Sequence, residues 1–539
     1  MRPNRSDVIP VIDLFAGPGG LGEGFSAFTG EHKQHAFRIA LSIEKDDAAH
    51  STLELRRFFR QFAPGDVPNS YYLHLRGLIS RDKLFADFPV EATAAKEEAW
   101  KAELGVADAT EVDRRIKRAI GGSEDWVLCG GPPCQAYSVI GRSRNQGINA
   151  KDDKLYLYKE YLRILSEHRP PVFIMENVKG ILSSKVGRNE IFKQMLTDLR
   201  QPATALRNGH NGNTRYFLYS LACKPSVYDL YGDPEFQPGE YVIPSENYGI
   251  PQSRHRVIIL GIREDLADCP VPILQPADRR VPASHVLNGL PRLRSGLTRT
   301  SDGKSQWRGA LSRILGPRIL DDIPNGKGSL LRREISGTLE KLRTMRADRG
   351  GEFVPCDAKT QYEKTWYCDP KIGGVCNHTS RPHMEADLHR YLFAVCYAKL
   401  NGRSPELRDF PPRLLPKHSN VRDKDKREYF DDRFRVQLAD RPSTTVTCHL
   451  SKDGHYFIHF DETQCRSMTV REAARLQTFP DNYVFCGTRT QQYIQVGNAV
   501  PPLLARQIAG VVMRILRADQ DKVRYTLTAS ARPRQAVCK

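Results

Sequence analysis

A thiol, a carboxylate and two guanidiniums stand in this sequence where the backbone can aim them. Cys134 follows two prolines in Gly130-Gly131-Pro132-Pro133-Cys134-Gln135-Ala136-Tyr137-Ser138. Proline fixes φ, so the pair holds the sulfur in one place, as a nucleophile attacking a defined atom requires. Cys129, just upstream in an apolar run, reads as a packed core thiol instead. Glu176, in Glu176-Asn177-Val178, closes another apolar run, where a carboxylate is costly to bury unless it is paired or does chemistry. Arg254 and Arg256, in Gln252-Ser253-Arg254-His255-Arg256, alternate at the start of a third run and so leave it on one face, suited to hold an anion or fix a polar ring. A glycine-dense turn, Asp13-Leu14-Phe15-Ala16-Gly17-Pro18-Gly19-Gly20-Leu21-Gly22, lets backbone N–H groups approach a nucleotide closely. Glu44, ending the next apolar run, stands where a doubly wound fold offers a carboxylate to ribose hydroxyls.

Such groups need strand ends to hold them. Residues 8–15 are β-rich, the glycine turn follows, and residues 36–43 form a second run, which reads as strand, loop, helix, strand. Residues 126–129, 171–175 and 256–261 are further buried-strand candidates, each followed by a polar or Pro/Gly segment, the alternation of a parallel α/β sheet. Between them, residues 81–120 are rich in Ala, Glu, Lys and Arg and predict an inserted helical excursion on the surface, with no chemistry assigned. From about residue 290 to about 440 the texture becomes short, irregular and Arg-rich, which marks a second domain. Residues 281–440 hold 30 Lys+Arg against 20 Asp+Glu, so +10 of the chain's +18 lies there. A solvated face is the ordinary reading of such an excess. Helical periodicity returns at residues 469–478, and the polar tail after about residue 517 is expected to fray.

The bulk properties narrow the class. At 539 residues, with 40% hydrophobic and 27% charged, the chain is globular and holds several domains. No apolar window reaches the roughly 18 residues of a membrane span, and Asp13 interrupts the first apolar stretch, unlike a signal peptide, so a cytoplasmic protein is expected. The 12 cysteines are scattered and read as thiols. A sequence pI near 9.3 favours a polyanionic partner.

Taken in order, DLFAGPGG, Glu44, GGPPCQAYS, ENV, QSRHR, RPSTTVT at 441–447 and GNAVPP at 497–502 make the sequence resemble the DNA (cytosine-5)-methyltransferase family of bacterial modification type, over most of its length. The resemblance implies an α/β, doubly wound, Rossmann-like S-adenosylmethionine-dependent catalytic domain that is discontinuous: residues 1–275 and 466–539, around a smaller irregular target-recognition domain at 276–465. It implies that Cys134 attacks C6 of a cytosine, that Glu176 shares a proton at N3, that Arg256 contacts the base and that Arg254 supports the pocket. Around S-adenosylmethionine it places Asp13, Phe15, Ala16, Gly17, Gly19, Gly20 and Pro132, with Glu44 on the ribose and Asn498 and Val500 closing the pocket. Asp66 becomes a candidate for the acid that faces adenine. The resemblance also implies that the target nucleotide is flipped out and covered by a loop, here residues 138–153, although Asp152-Asp153-Lys154 stands where the family tends to carry an arginine. The basic middle then supplies phosphate contacts.

The implied partners are double-stranded DNA and a cognate restriction endonuclease or defence-system protein, with no membrane and a monomeric enzyme. A compact tRNA-methylating relative is disfavoured by the long basic insert, and a silent DNA-binding subunit by intact Cys134, Glu176 and both arginines. A dinucleotide oxidoreductase leaves the Pro-Pro-Cys and Gly-Asn-Ala-Val-Pro-Pro segments unexplained. Cys356, Cys368, Cys376, His378, His383 and Cys396 lack the paired C-x₂-C spacing of structural zinc, so packed thiols and no metal are expected.

Overall fold

A computed structural model describes residues 8–30, 34–132, 155–186, 189–206, 214–266, 271–321, 323, 328–344, 348–417 and 431–530. Cys134, the candidate covering loop at 138–153 and the Asp152-Asp153-Lys154 segment lie outside the described residues. The chain opens with β1 (Ile9–Leu14), whose six residues are all buried, and turns through the glycine loop into α1 (Gly20–Ser26). β2 (Phe37–Glu44) leads into α2 (Asp47–Arg60), started by the Asp46 carboxylate, which accepts from the Ala48 and Ala49 N–H groups. The helices α3 (Asn69–Leu75), α4 (Arg81–Asp87) and α5 (Pro89–Glu98) follow, then β3 (Ala99–Lys101) and α6 (Ala109–Ile120). β4 (Val127–Gly130), α7 (Leu155–His168), β5 (Val172–Val178), α8 (Ile191–Arg200), β6 (Tyr216–Ser220), β7 (Val242–Pro244) and β8 (His255–Arg263) follow.

One eight-stranded sheet runs β7-β8-β5-β4-β1-β2-β3, with β6 also paired to β8. β1 to β5 are parallel. β8 is antiparallel to β5, and β6 and β7 are antiparallel to β8, so the sheet is mixed, which corrects the all-parallel expectation for residues 256–261. Alternating side chains feed two cores. Val11, Val127, Ile174 and Ile258 join one face, and Ile12, Leu128, Phe173 and Ile259 the other. The second face is covered by α6, α7 and α8 through residues such as Ile116, Leu165 and Leu199.

The stretch at 81–120 is a second correction. β3 lies inside it and extends the sheet beyond β2, and Val112 and Ile116 of α6 are fully buried, so this segment is structural edge rather than surface excursion. Its neighbours α3 and α5 build a separate small core with Phe58 of α2 and with Ile372 and Cys376 from later in the chain.

After β8 come α9 (Lys304–Ser312), α10 (Gly328–Thr344), β9 (Gly350–Pro355), β10 (Gly374–Thr379) and α11 (Glu385–Asn401). β9 and β10 form an antiparallel pair, and the three helices bury their own core around Trp307, Ile335 and Leu392, closed by Phe434. The return is made by α12 (Val470–Leu476), α13 (Arg489–Asn498) and α14 (Pro502–Ser530). α14 continues through the tail that was expected to fray after about residue 517. Residues 489–518 are apolar enough to resemble a membrane span by composition, but 83% of the window is buried, against α1 and the first sheet face, as a core helix.

Three arginines in and before α12 are fully enclosed. Arg475 pairs with Asp481 through two bonds of 2.9 and 2.6 Å and donates to the carbonyls of Val286 and Lys359, each at 2.8 Å. Arg466 grips Glu472 and the Leu293 carbonyl, and Arg471 grips the carbonyls of Cys376, Pro480 and Tyr483. Replacing Arg475 by Met strands a buried carboxylate, so Arg475→Met is expected to cost about 3–5 kcal/mol in urea unfolding, and Asp481→Asn added to it to recover part of that loss.

Candidate active site

The strand edge at the carboxyl ends of β4 and β5 gathers the chemistry. In the β5–β8 register Ile258 faces Glu176 and Arg256 faces Val178. Arg256 and Glu176 therefore project side by side, and the Arg256 Nε lies 2.9 Å from Glu176 Oε1 with both side chains 13% exposed. A strand-end carboxylate with no cation would be costly, and this pair removes that cost. Burial lowers the Arg256 guanidinium, with Glu176 opposing. A Cβ placed on Gly131 would press on Glu176 Oε2, so the backbone that leads to Cys134 passes directly against the carboxylate. Pro132 is buried there as well.

Arg254 does different work. It is 1% exposed and donates to the carbonyls of Val446 at 2.8 Å and Gly497 at 3.0 Å, distant segments that it pins beside the strand edge. Burial drives its affinity for a proton well down, and Arg256 adds to that. Gln252 and Gln477, which the sequence reading passed over, bond each other, and they reach Val446 N–H and the Val496 carbonyl respectively. Residues 441–447 lie on this segment: Ser443 and Thr444 run parallel to Gln252 and Ser253.

Next to this edge, on β1, the glycine loop takes three left-handed residues, Phe15 at φ 53°, Gly17 at 56° and Gly19 at 85°. Phe15 adopts that conformation with a side chain, which is uncommon and belongs to functional loops. The Gly17 N–H donates to Glu44 Oε2 at 2.8 Å, while Oε1 accepts from Lys45 and Asp46 N–H, so the Glu44 carboxylate is aimed at the loop from β2. The Ala16 N–H bonds the Ile43 carbonyl. Space is open over Gly17, whereas a Cβ on Gly20 would run into the Val500 carbonyl. Val500 is buried, and Asn498, ending α13, is exposed. Tyr483 O–H donates to the Pro18 carbonyl and braces the loop from the C-terminal return. A carboxylate held at the loop and a glycine with free space above it fit a nucleoside-bearing cofactor.

Asp13 lies beneath this loop rather than over it. It is 1% exposed and faces Arg57, a residue without a sequence motif to mark it. Burial pushes its carboxyl from 3.8 up to about 7, with Arg57 and the Gly22 N–H opposing. Asp66 is exposed in a turn before α3, near Lys371, whose ammonium meets the Gly65 carbonyl. Glu103, just beyond β3 and salt-bridged to Lys45 at 2.8 Å, stands instead at the sheet edge beside Glu44. β3 was hidden in a helix-like composition, so this acid gave no readable signal.

The cysteine and histidine cluster disperses. Cys376 donates to the Leu75 carbonyl, and Cys396 meets Thr338. His378 bonds Thr469 and the Pro291 carbonyl, and His383 bonds Ser467. Cys356 and Cys368 are half-buried against the first core. Cys129 is fully enclosed, and burial raises its thiol, as suits a packing residue.

The fold is that of an α/β methyltransferase, with the glycine loop beside a carboxylate–guanidinium pair at the strand edge. The profile of C-5 cytosine-specific DNA methylase matches residues 97–202 and 235–514. The chain is 31% identical over 523 residues to the type II methyltransferase M.Bpa9945I of Bacillus paralicheniformis, covering 94% of this chain and 99% of that one. It is 27% identical to the type II methyltransferase M.AgeI of Thalassovita gelatinovora, covering 93% and 98% of the two chains. It is 26% identical to the DNA (cytosine-5-)-methyltransferase M.ApeKI of Aeropyrum pernix, covering 78% and 87%. The chain belongs to the C-5 cytosine-specific DNA methylase family. It is an S-adenosylmethionine-dependent DNA (cytosine-5-)-methyltransferase.

Asp13 gives a pH signature. Between about pH 4 and 7 the folded chain binds a proton at Asp13 that the unfolded chain has released, so this residue's contribution to stability falls as pH rises through that window and is level above it. Asp13→Asn is expected to remove that downward slope from urea unfolding free energies measured at successive pH values. An unchanged slope would show that Asp13 is ionised throughout.

Proposed function

We propose that Cys134 is the nucleophile of cytosine C5 methylation, with Glu176 and Arg256 holding the base. The observation that carries this reading is the Arg256–Glu176 pair, with the Gly131 backbone against the same carboxylate. The Cys134 thiolate forms a bond to C6, and the electron pair of the C5–C6 double bond moves onto C5, conjugated with the N3 side of the ring. Glu176 holds the proton at N3, which keeps the ring from carrying the full negative charge. Arg256 orients Glu176 and the base, and Arg254 positions Arg256's strand against residues 446 and 497. S-adenosylmethionine, when bound, supplies a methyl group on a positively charged sulfur, an electrophile suited to C5. The C5 proton then leaves to a water, the C5–C6 double bond re-forms, and Cys134 departs as thiolate.

In this reading Phe15, Ala16, Gly17, Gly19 and Gly20 bound the cofactor, Glu44 takes its ribose hydroxyls, and Pro132, Asn498 and Val500 close the pocket, while Asp13 shapes the loop from below. Glu103 replaces Asp66 as the acid that faces adenine. The catalytic domain comprises residues 1–275 and 466–539, and residues 276–465 form the target-recognition domain, reading duplex DNA after the nucleotide is flipped. The enzyme acts as a cytoplasmic monomer that marks self DNA against a cognate restriction endonuclease or related defence protein, a role supported by the type II naming of its relatives.

Bisulfite sequencing of DNA from cells producing this protein is expected to show protected cytosines within one short motif, and none with Cys134→Ser. Purified Glu176→Gln is expected to lose about 10²–10⁴-fold in kcat while still binding DNA. Protection that persists with Cys134→Ser would overturn the assigned nucleophile.

A further inference from the structure

Two guanidiniums meet at the Ser380 carbonyl, away from the strand edge, and the next residue carries a third. The Ser380 carbonyl accepts from Arg349 at 3.3 Å and from Arg489 at 3.4 Å. Arg381, the next residue, is 7% exposed and spends two donors on the carbonyls of Lys452 and Leu450, each at 2.6 Å. Arg349 also reaches Asp302 at 3.2 Å. Among the described residues neither Arg381 nor Arg489 has an ion-pair partner. The nearby Glu352 carboxylate accepts at Oε2 from Asn377 at 3.2 Å and Gln492 at 3.4 Å. Ser380 Oγ, Arg381 Nε and Arg349 Nε are buried with no hydrogen-bond partner among the described residues. Burial lowers the Arg489 guanidinium, the charges of Arg381 and Arg349 add to that, and Tyr493 and Glu352 oppose it. Arg489 is half-buried, and its one carbonyl bond leaves donors free. Asp302 and Glu352 offset this positive charge only in part, and an anion relieves the remaining cost.

The position suggests which anion. Arg489 begins α13, and Gly497, near its other end, is the residue whose carbonyl Arg254 holds beside the Arg256–Glu176 pair. Eight residues of helix at 1.5 Å each place the cluster about 12 Å along α13 from that point. This corresponds to roughly three or four base-pair steps of 3.4 Å. The segment that Arg381 holds, Cys448–Ser451, packs on the same helix at Gly497.

We propose that Arg489, with Arg349 and Arg381 around Ser380, seats a backbone phosphate of the bound duplex a few nucleotides from the flipped base. The seat rests on DNA being the substrate, and it carries no base information.

The test uses the full chain and measures binding to a cognate and an unrelated duplex across a salt series. Arg489→Gln, with its melting temperature as the folding control, is expected to weaken both duplexes by a similar factor. It should also reduce the slope of log K against log salt by about 0.9, the contribution of one phosphate contact. Arg489→Lys should restore the slope. Arg349→Gln carries the same expectation should Arg489→Gln fail to fold. Wild-type slope and affinity in a folded variant would overturn the seat, as would weakening confined to the cognate duplex, which indicates base reading. Thermal stabilisation by inorganic phosphate that Arg489→Gln abolishes, with an unchanged DNA slope, would reassign the cluster to a free anion and overturn the DNA seat. Wild-type protein that binds no duplex would remove the substrate reading itself, and the seat with it.

Discussion

A guanidinium shut away from water must find partners for its N–H groups, and this requirement organises the molecule. Arg466, Arg471 and Arg475 are all fully buried, in or next to a helix of seven residues. Their carboxylate partners are local, Glu472 and Asp481, but among their remaining bonds are ones to carbonyls from far along the chain: Val286, Leu293, Lys359 and Cys376. The planar fork of arginine makes these contacts directional, which a lysine could not reproduce. Segments that belong to different cores are thereby fixed to one short helix. Arg254 repeats the device next to the chemistry, joining β8 to residues 446 and 497.

The strands that carry the chemistry were readable because each is an uninterrupted apolar run ending in a polar group, as in Val172 to Glu176. Strand direction was not. The pleat alternates identically in parallel and antiparallel pairs, so nothing in residues 256–261 announced that β8 runs against β5. β3 escaped notice for another reason: Ala99-Trp100-Lys101 is a three-residue edge strand between two helices, too short for a period-two pattern.

Within the site, residue type was legible and partnership was not. The strand-end position of Glu176 called for a partner or a reaction, and Arg256 supplies the partner across a strand pair. The work of Arg254 was invisible because its two carbonyls lie 192 and 243 residues away. Asp13 sits in the most recognisable motif of the chain, yet its carboxylate faces Arg57 beneath the loop, a contact that motif spacing does not encode. The tail looked polar because α14 spends its apolar residues on one stretch, where Leu504, Ile508 and Val512 sink against the first helix, and then runs on.

That packing of the last helix on the first has a consequence for how the protein is made. Gly20 is covered by the Val500 carbonyl and Pro18 is braced by Tyr483, so the floor of the N-terminal loop is delivered more than 460 residues after the loop itself. At translation rates of about 5–20 residues per second, that interval is on the order of 25–90 s. Throughout it the apolar side of α1, including Leu21 and Phe25, has no α14 to cover it on the ribosome. The nascent chain therefore passes through a long stage in which its sheet can pair while its cofactor loop stays open to solvent and to chaperones. A ribosome that stalls short of α13 releases a chain that has β1 to β8 but lacks the surface against which the glycine loop packs.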